Sequence, residues 1–288
     1  MKKLFTLLFI GSMIASCSDD NSINDIEEPE AAVSLEEQVA EGKFDNSSLG
    51  IYEGVFTTLD GSQRSTVAIK LDGKNEPVVS FLFPDGTKSS IKAASTSKAQ
   101  AGTINFSDDK FSFDFNVEED GTNPEVTNVT YAGKEGDIII FKETSKGAVS
   151  PKTGTYDCVD CEGHPELGEP GALQTFNIVI TDGAESDMEV QLTLNTRTYY
   201  GNMTQSSCEE SAFGDYTTCK LNGTIAGNTG PVTVNPSNTR TTFHQYRSGT
   251  GDCSTIQGVM SYTSSLFGGP FIMAFNTDDP IGPNGDCL

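Results

Sequence analysis

Apolar and polar positions along this 288-residue chain alternate in short runs rather than in helical stripes. Phe111, Phe113, Phe115 and Val117 alternate with Ser112, Asp114 and Asn116, and Val67, Ile69 and Leu71 alternate with Thr66, Ala68 and Lys70. A period of two places each apolar set on one face of a β-strand. Ile138-Ile139-Ile140-Phe141 is apolar on both faces, the pattern of a central or closing strand. Turn formers separate the runs at Asp60-Gly61, Asp72-Gly73, Pro84-Asp85-Gly86 and Asp120-Gly121. Between Gly50 and Lys146 this punctuation predicts about eight strands, the content of a small barrel or sandwich. Further strands are predicted at 173–181, 188–195, 198–203, 217–225, 240–247, 256–262 and 271–275. The expected fold class is therefore all-β: two small antiparallel β-sandwich or β-barrel domains, at 49–147 and 153–288. A short polar link near 148–152, flanked by Gly147 and Pro151, is expected to join them.

Both halves open alike. Gly50-Ile51-Tyr52-Glu53 and Gly154-Thr155-Tyr156-Asp157 each read Gly-x-Tyr followed by an acid, as a duplicated unit would. This opening distantly resembles the Gly-x-Trp start of lipocalins, with Tyr in place of Trp. That resemblance implies a barrel whose interior carries a small apolar ligand.

Charge narrows the partners. The chain has 41 acidic and 18 basic side chains and a net charge of −23. A phosphate backbone would meet a surface of its own sign, so nucleic-acid binding is not expected. Hydrophobic residues make up 35%, with 29 Gly, 12 Pro and no Trp. Such a composition suits turn-rich β structure and is hard to reconcile with a helical bundle or a polytopic membrane protein.

The N-terminus supplies an address. Lys2 and Lys3 precede a mostly apolar run from Leu4 to Ala15. That run is shorter than the roughly 20 residues a bilayer span needs, so residues 1–16 read as a cleaved secretory signal. Ile14-Ala15-Ser16-Cys17 resembles the lipobox of bacterial lipoproteins. The resemblance implies cleavage before Cys17, a thioether-linked diacylglycerol on its sulfur and often an amide-linked third acyl chain. Two or more chains hold a protein on a membrane effectively permanently. Ser18-Asp19-Asp20-Asn21 resembles the acidic export signal of surface lipoproteins in some Gram-negative bacteria, which implies the outer membrane and its cell-surface face.

Residues 17–48 read as a lipidated acidic tether. Ten carboxylates and one lysine, Lys43, lie between Asp19 and Asp45, so the segment carries −9 and repels itself into an extended coil. Ser34-Leu35-Glu36-Glu37 has capping-box spacing ahead of Gly42, enough for a two-turn helix.

Chemistry is sparse. Beyond Cys17 there are six cysteines: Cys158, Cys161, Cys208, Cys219, Cys253 and Cys287. An even number in an exported chain implies up to three disulfides, with fifteen possible pairings. Cys208 and Cys219 suit a local clip, and Cys287 suits a tie between the C-terminus and the body. Cys158-x-x-Cys161 with His164 has the start of a zinc or dithiol motif but no second half, so structural disulfides are favoured. No Gly-x-Ser-x-Gly elbow accompanies His164 or His244, the two histidines. Adjacent carboxylates at Asp108-Asp109, Glu118-Glu119, Glu209-Glu210 and Asp278-Asp279 point to opposite faces of a strand and do not serve each other. Asp278, Asp279 and Asp286, and the loop Glu118 to Glu125, are oxygen-rich candidates for calcium, without Asp-x-Asp-x-Asp-Gly spacing. No other cofactor is expected.

These features point to a non-catalytic outer-membrane or cell-surface lipoprotein that binds an extracellular ligand or partner protein and touches the membrane through Cys17. Two alternatives stand beside it: a secreted hydrolase using carboxylates from strand ends, and a lipocalin-like carrier of a small apolar ligand.

Overall fold

The computed structural model describes residues 39–93, 102–160, 174–181, 187–194, 197–210, 216–227, 239–247, 254–264 and 268–278. Among these residues there are seventeen strands, one three-residue 3₁₀ turn at Gly42–Phe44 and no α-helix. In the first half, β1 (Gly50–Thr58), β2 (Arg64–Leu71), β3 (Val78–Leu82) and β4 (Lys88–Lys92) form one antiparallel meander. A second comprises β5 (Ile104–Ser107), β6 (Phe111–Asn116), β7 (Glu125–Tyr131) and β8 (Lys134–Glu143). β8 returns along β1, from Glu143 opposite Ile51 to Gly136 opposite Thr58. A bridge between Ala93 and Phe106 brings the two outer strands, β4 and β5, together. The eight strands form a nearly closed barrel.

Period-two alternation decides what fills it. Phe111, Phe113 and Phe115 point inward with Tyr52, Phe56, Phe81 and Phe106, each of them 1% exposed or less. Phe81 stacks on Phe111 with centroids 3.9 Å apart, and Phe56 and Phe113 meet Phe81 edge-on at 6.3 and 6.2 Å. Tyr52 meets Phe115 edge-on at 5.0 Å. Edge-to-face contact between rings adds about 0.5–1.5 kcal/mol per pair beyond simple burial. The closing pair also needs Gly54, because a Cβ there would lie 1.8 Å from the carbonyl oxygen of Ile139.

In the second half, β9 (Val149–Lys152) and β10 (Gly154–Cys158) are two pieces of one broken strand. Both lie along β11 (Gln174–Thr181) in a continuous register, Val149 opposite Thr181 and Tyr156 opposite Gln174. At the break, the Gly154 N–H donates to Asn177 Oδ1 at 3.4 Å. The polar link expected near 148–152 is thus strand β9. It pairs with β11 alone, at the end of its sheet, where Pro151 removes no needed ladder donor. β12 (Asp187–Leu194), β13 (Arg197–Glu210), β14 (Tyr216–Gly227), β15 (Thr239–Arg247), β16 (Ser254–Ser264) and β17 (Gly268–Thr277) follow, each antiparallel to its predecessor. β17 then pairs with β10, Thr277 opposite Gly154, so eight strands again close a ring. Tyr52 and Tyr156 occupy corresponding places in the opening strands of the two rings, and neither is exposed.

The rings are docked side to side. β1 is buried along its whole length because its inner face meets the aromatic core and its outer face meets the second sheet. Val55, Val149 and Val179 form that outer cluster, with Ile139 and Phe141 packed against it. This explains why the run 138–141 is apolar on both faces. Polar contacts fix the register: Thr175 Oγ1 donates to Gly61 O at 2.9 Å, and Asn177 Nδ2 donates to Phe56 O at 3.4 Å and Gln191 Oε1 at 2.7 Å. Arg64 forks both oxygens of Asp278 at 2.7 Å, and Thr153 Oγ1 donates to the same carboxylate at 2.7 Å.

Candidate functional site

The chain reaches β1 by crossing one end of the first barrel, where a lysine gathers it in. Lys142, on β8, donates from Nζ to the carbonyls of Phe44 at 2.7 Å, Asp45 at 3.4 Å and Ser47. Burial pushes its pKa down, while Asp45 and Asp120 pull the other way. Asp45 accepts from the Ser145 N–H at 2.9 Å and from its hydroxyl at 2.7 Å, and these hydrogen bonds hold its carboxyl below the usual range. The Ala40 N–H donates to Glu143 Oε1 at 3.3 Å, and burial raises the Glu143 pKa. Tyr52 Oη donates to Ser48 O at 2.7 Å, and burial pushes this phenol far above its ordinary pKa. The Ser48 N–H closes the set by donating to Glu119 O at 2.8 Å.

Residues 40–48 therefore form a docked strap, although their charge reads as tether. The acids that suggested repulsion are engaged locally: Asp45 by Ser145, and Glu41 by Lys43 at 2.5 Å. Gly50, at φ +127°, turns the strap into β1. A Cβ there would meet Phe44 and Lys142 at an ordinary 3.5 Å, so it is the backbone conformation, one that L side chains rarely adopt, that calls for glycine.

Beside the strap lies a cleft of about 290 Å³. Val39 and Phe44, with the buried Ile51 and Leu71 behind them, are its apolar lining, and Lys43, Lys70, Lys74, Glu41 and Asp72 are its charged lining residues. Asp72 organises the β2–β3 turn that forms one side. Its Oδ1 accepts the N–H groups of Lys74 and Asn75 at 2.8 and 2.7 Å, and Oδ2 accepts Asn75 Nδ2 at 2.6 Å. Burial acts to raise the Asp72 pKa, but these donors together outweigh it and the net shift is downward. Leu49, just after the strap, lies 3.1 Å from where a Cβ on Gly73 would stand, so the turn and the end of the strap brace each other.

The residues singled out in the sequence fall elsewhere. Cys158 is 1% exposed at the end of β10. Cys208 on β13 lies directly opposite Cys219 on β14, and His244 on β15 lies opposite Thr218 and Gln257. Both carboxylate oxygens of Asp278 are occupied by the Arg64 fork, which gives this calcium candidate a structural task. In the other oxygen-rich loop, Asp120 and Glu118 accept from Thr122 and Asn123 within their own turn. Among the described residues no three His, Cys, Asp or Glu side chains gather where a metal would sit. Cys17, Cys161, His164, Cys253, Asp279, Asp286 and Cys287 lie outside the described residues. The first barrel's interior is occupied by its own rings, whose 0–1% exposure leaves no water-sized space beside them. A carrier chamber is not built there.

No protein-family model matches the chain, and neither a curated protein nor a solved structure does.

Proposed function

We propose that this chain is an exported, lipid-anchored, non-catalytic binding protein of the outer membrane, on its cell-surface face, that meets an extracellular ligand with the outside of its barrels. The observation that carries the reading is the filled first barrel. Tyr52, Phe56, Phe81, Phe106 and Phe113 have no exposed surface, so a ligand of this half is met on its exterior. The lipobox resemblance at Ile14-Ala15-Ser16-Cys17 supports the anchor. From Cys17 to Val39 an unstructured chain would reach about 25 Å, enough to hold the strap and its cleft near, but clear of, a membrane surface.

Three disulfides among the six later cysteines belong to the same proposal. Cys158 supports it, being buried at the end of β10. Directly opposed antiparallel residues have Cα atoms about 4.5–5.5 Å apart, within the range a disulfide spans, so the Cys208–Cys219 register also favours a bridge. Each bridge adds roughly 2–4 kcal/mol by constraining the unfolded chain.

The test joins anchoring to chemistry. In a Gram-negative host the wild-type chain is expected in the outer-membrane fraction and open to protease added to whole cells, with Cys17→Ala moving it to the soluble fraction. The purified body, incubated with panels of glycans and peptides, is expected to retain a ligand without converting it. Product formation lost on substituting a single carboxylate would replace this reading with a hydrolase.

A further inference from the structure

We propose that the cleft beside the strap is a binding site for a small amphiphilic anion, of which a medium-chain fatty carboxylate is the simplest form. The inference rests on the binding reading above and names its ligand class. The two halves of the cleft ask for two halves of a ligand. Val39, 81% exposed, and the half-buried Phe44 offer apolar surface on which a short hydrocarbon chain loses its water, over a floor closed by the buried Ile51 and Leu71, and Lys43, Lys70 and Lys74 also line the cleft.

Charge at this spot runs against the rest of the molecule. Acids outnumber bases by 41 to 18 in the chain, yet three lysines line this cleft against two acidic residues. Neither carboxylate is spare: Asp72 is consumed by its own turn, and Glu41 by Lys43. The Glu41–Lys43 pair is more than half exposed on both sides and self-neutralising, so the charge open to a ligand is that of Lys74. Among the described residues Lys74 has no ion-pair partner. At physiological ionic strength a charge is felt over about 8 Å, so these local lysines, rather than the net −23, set what the cleft attracts.

The site is also built before its ligand arrives. Lys142 pins the strap that forms one wall, and Asp72 with Leu49 fixes the turn that forms the other, so little ordering remains to be done on binding. The volume of about 290 Å³ suits a single chain of about ten carbons and is too small for a diacyl lipid. The expected source is thus a free acid.

Isothermal titration of the full chain with decanoate tests this, with decanol, decylammonium and acetate as comparisons. Saturable one-to-one binding of decanoate is expected, about tenfold or more tighter than that of any comparison. Lys74→Glu, alone or with Lys70→Glu, is expected to weaken it about tenfold or more, and Val39→Asp to weaken it through the apolar wall. Lys74 and Val39 are exposed, so the melting temperature should not move. No saturable binding at millimolar decanoate, equal binding of decanol, or unchanged affinity in Lys74→Glu and Val39→Asp would overturn the proposal. None of these results touches the anchoring reading, which is scored by the membrane fraction.

Discussion

Replacing Phe81 by Ala probes the filled barrel. Phe81 lies at the centre of the ring cluster, wholly buried, stacked on Phe111 and met edge-on by Phe56 and Phe113. Deleting a buried Phe side chain costs about 3–5 kcal/mol, through lost transfer energy and through the void that remains. Three ring partners put this site at the upper end of that range. Urea unfolding followed by circular dichroism gives the loss directly, and Phe81→Leu, expected to cost about 1–2 kcal/mol, serves where the alanine variant unfolds. The variant should gain a function the wild type lacks, since an apolar void is dry and takes up benzene-sized ligands. Benzene should therefore raise the melting temperature of Phe81→Ala and leave the wild type unmoved. A loss below about 1.5 kcal/mol, or a benzene response in the wild-type barrel, would refute the claim that its own rings fill this interior.

Three further perturbations test the supports. Burial holds the Asp137 carboxyl up at about 6 in the fold, against an ordinary 3.8. As pH rises from 4 to 6 the unfolded chain releases this proton and the folded one keeps it, so its stabilisation is full below 4 and is lost by about 6.5. Asp137→Asn should abolish that fall, up to about 3 kcal/mol, in urea melts at the two pH values, and identical slopes in both proteins would contradict it. Lys142→Met removes an ammonium shared by three carbonyls, at about 2–3 kcal/mol, and should raise hydrogen exchange of the 42–48 amides roughly 30- to 150-fold while the β1–β8 amides stay protected. Arg64→Ala leaves a half-buried Asp278 with Thr153 alone. It should cost about 2–3 kcal/mol by thermal melt, with Arg64→Lys restoring only part because the fork is lost.

Where burial follows from alternation alone, the sequence was readable. The inward row Phe111–Phe115 and the closing run at Ile138 fall where period two and the turn residues put them, and the strands from Gln174 onward lie at the expected segments except that β13 runs from Arg197 to Glu210, well past the expected 198–203. The doubly apolar run hinted at a second packed face, but only the structure says that Val149 and Val179 supply it. β9 escaped because Ser150, Pro151 and Lys152 look like a linker, and only a sheet edge tolerates such a strand. The cleft escaped for a different reason. Lys142 reads as one more solvated charge, and nothing local reveals that the strap and the Asp72 turn meet across the barrel's end. A wall made by chain crossing leaves no periodic trace.

Lipid anchoring at Cys17, as proposed, would set where every other surface is presented. Mass spectrometry of the N-terminal peptide from membrane-extracted native protein measures it. The account predicts a chain beginning at Cys17 with a diacylglyceryl thioether, and commonly an amide-linked acyl group, in its mass. A peptide that retains Met1, or one that begins at Cys17 with a bare thiol, would contradict it.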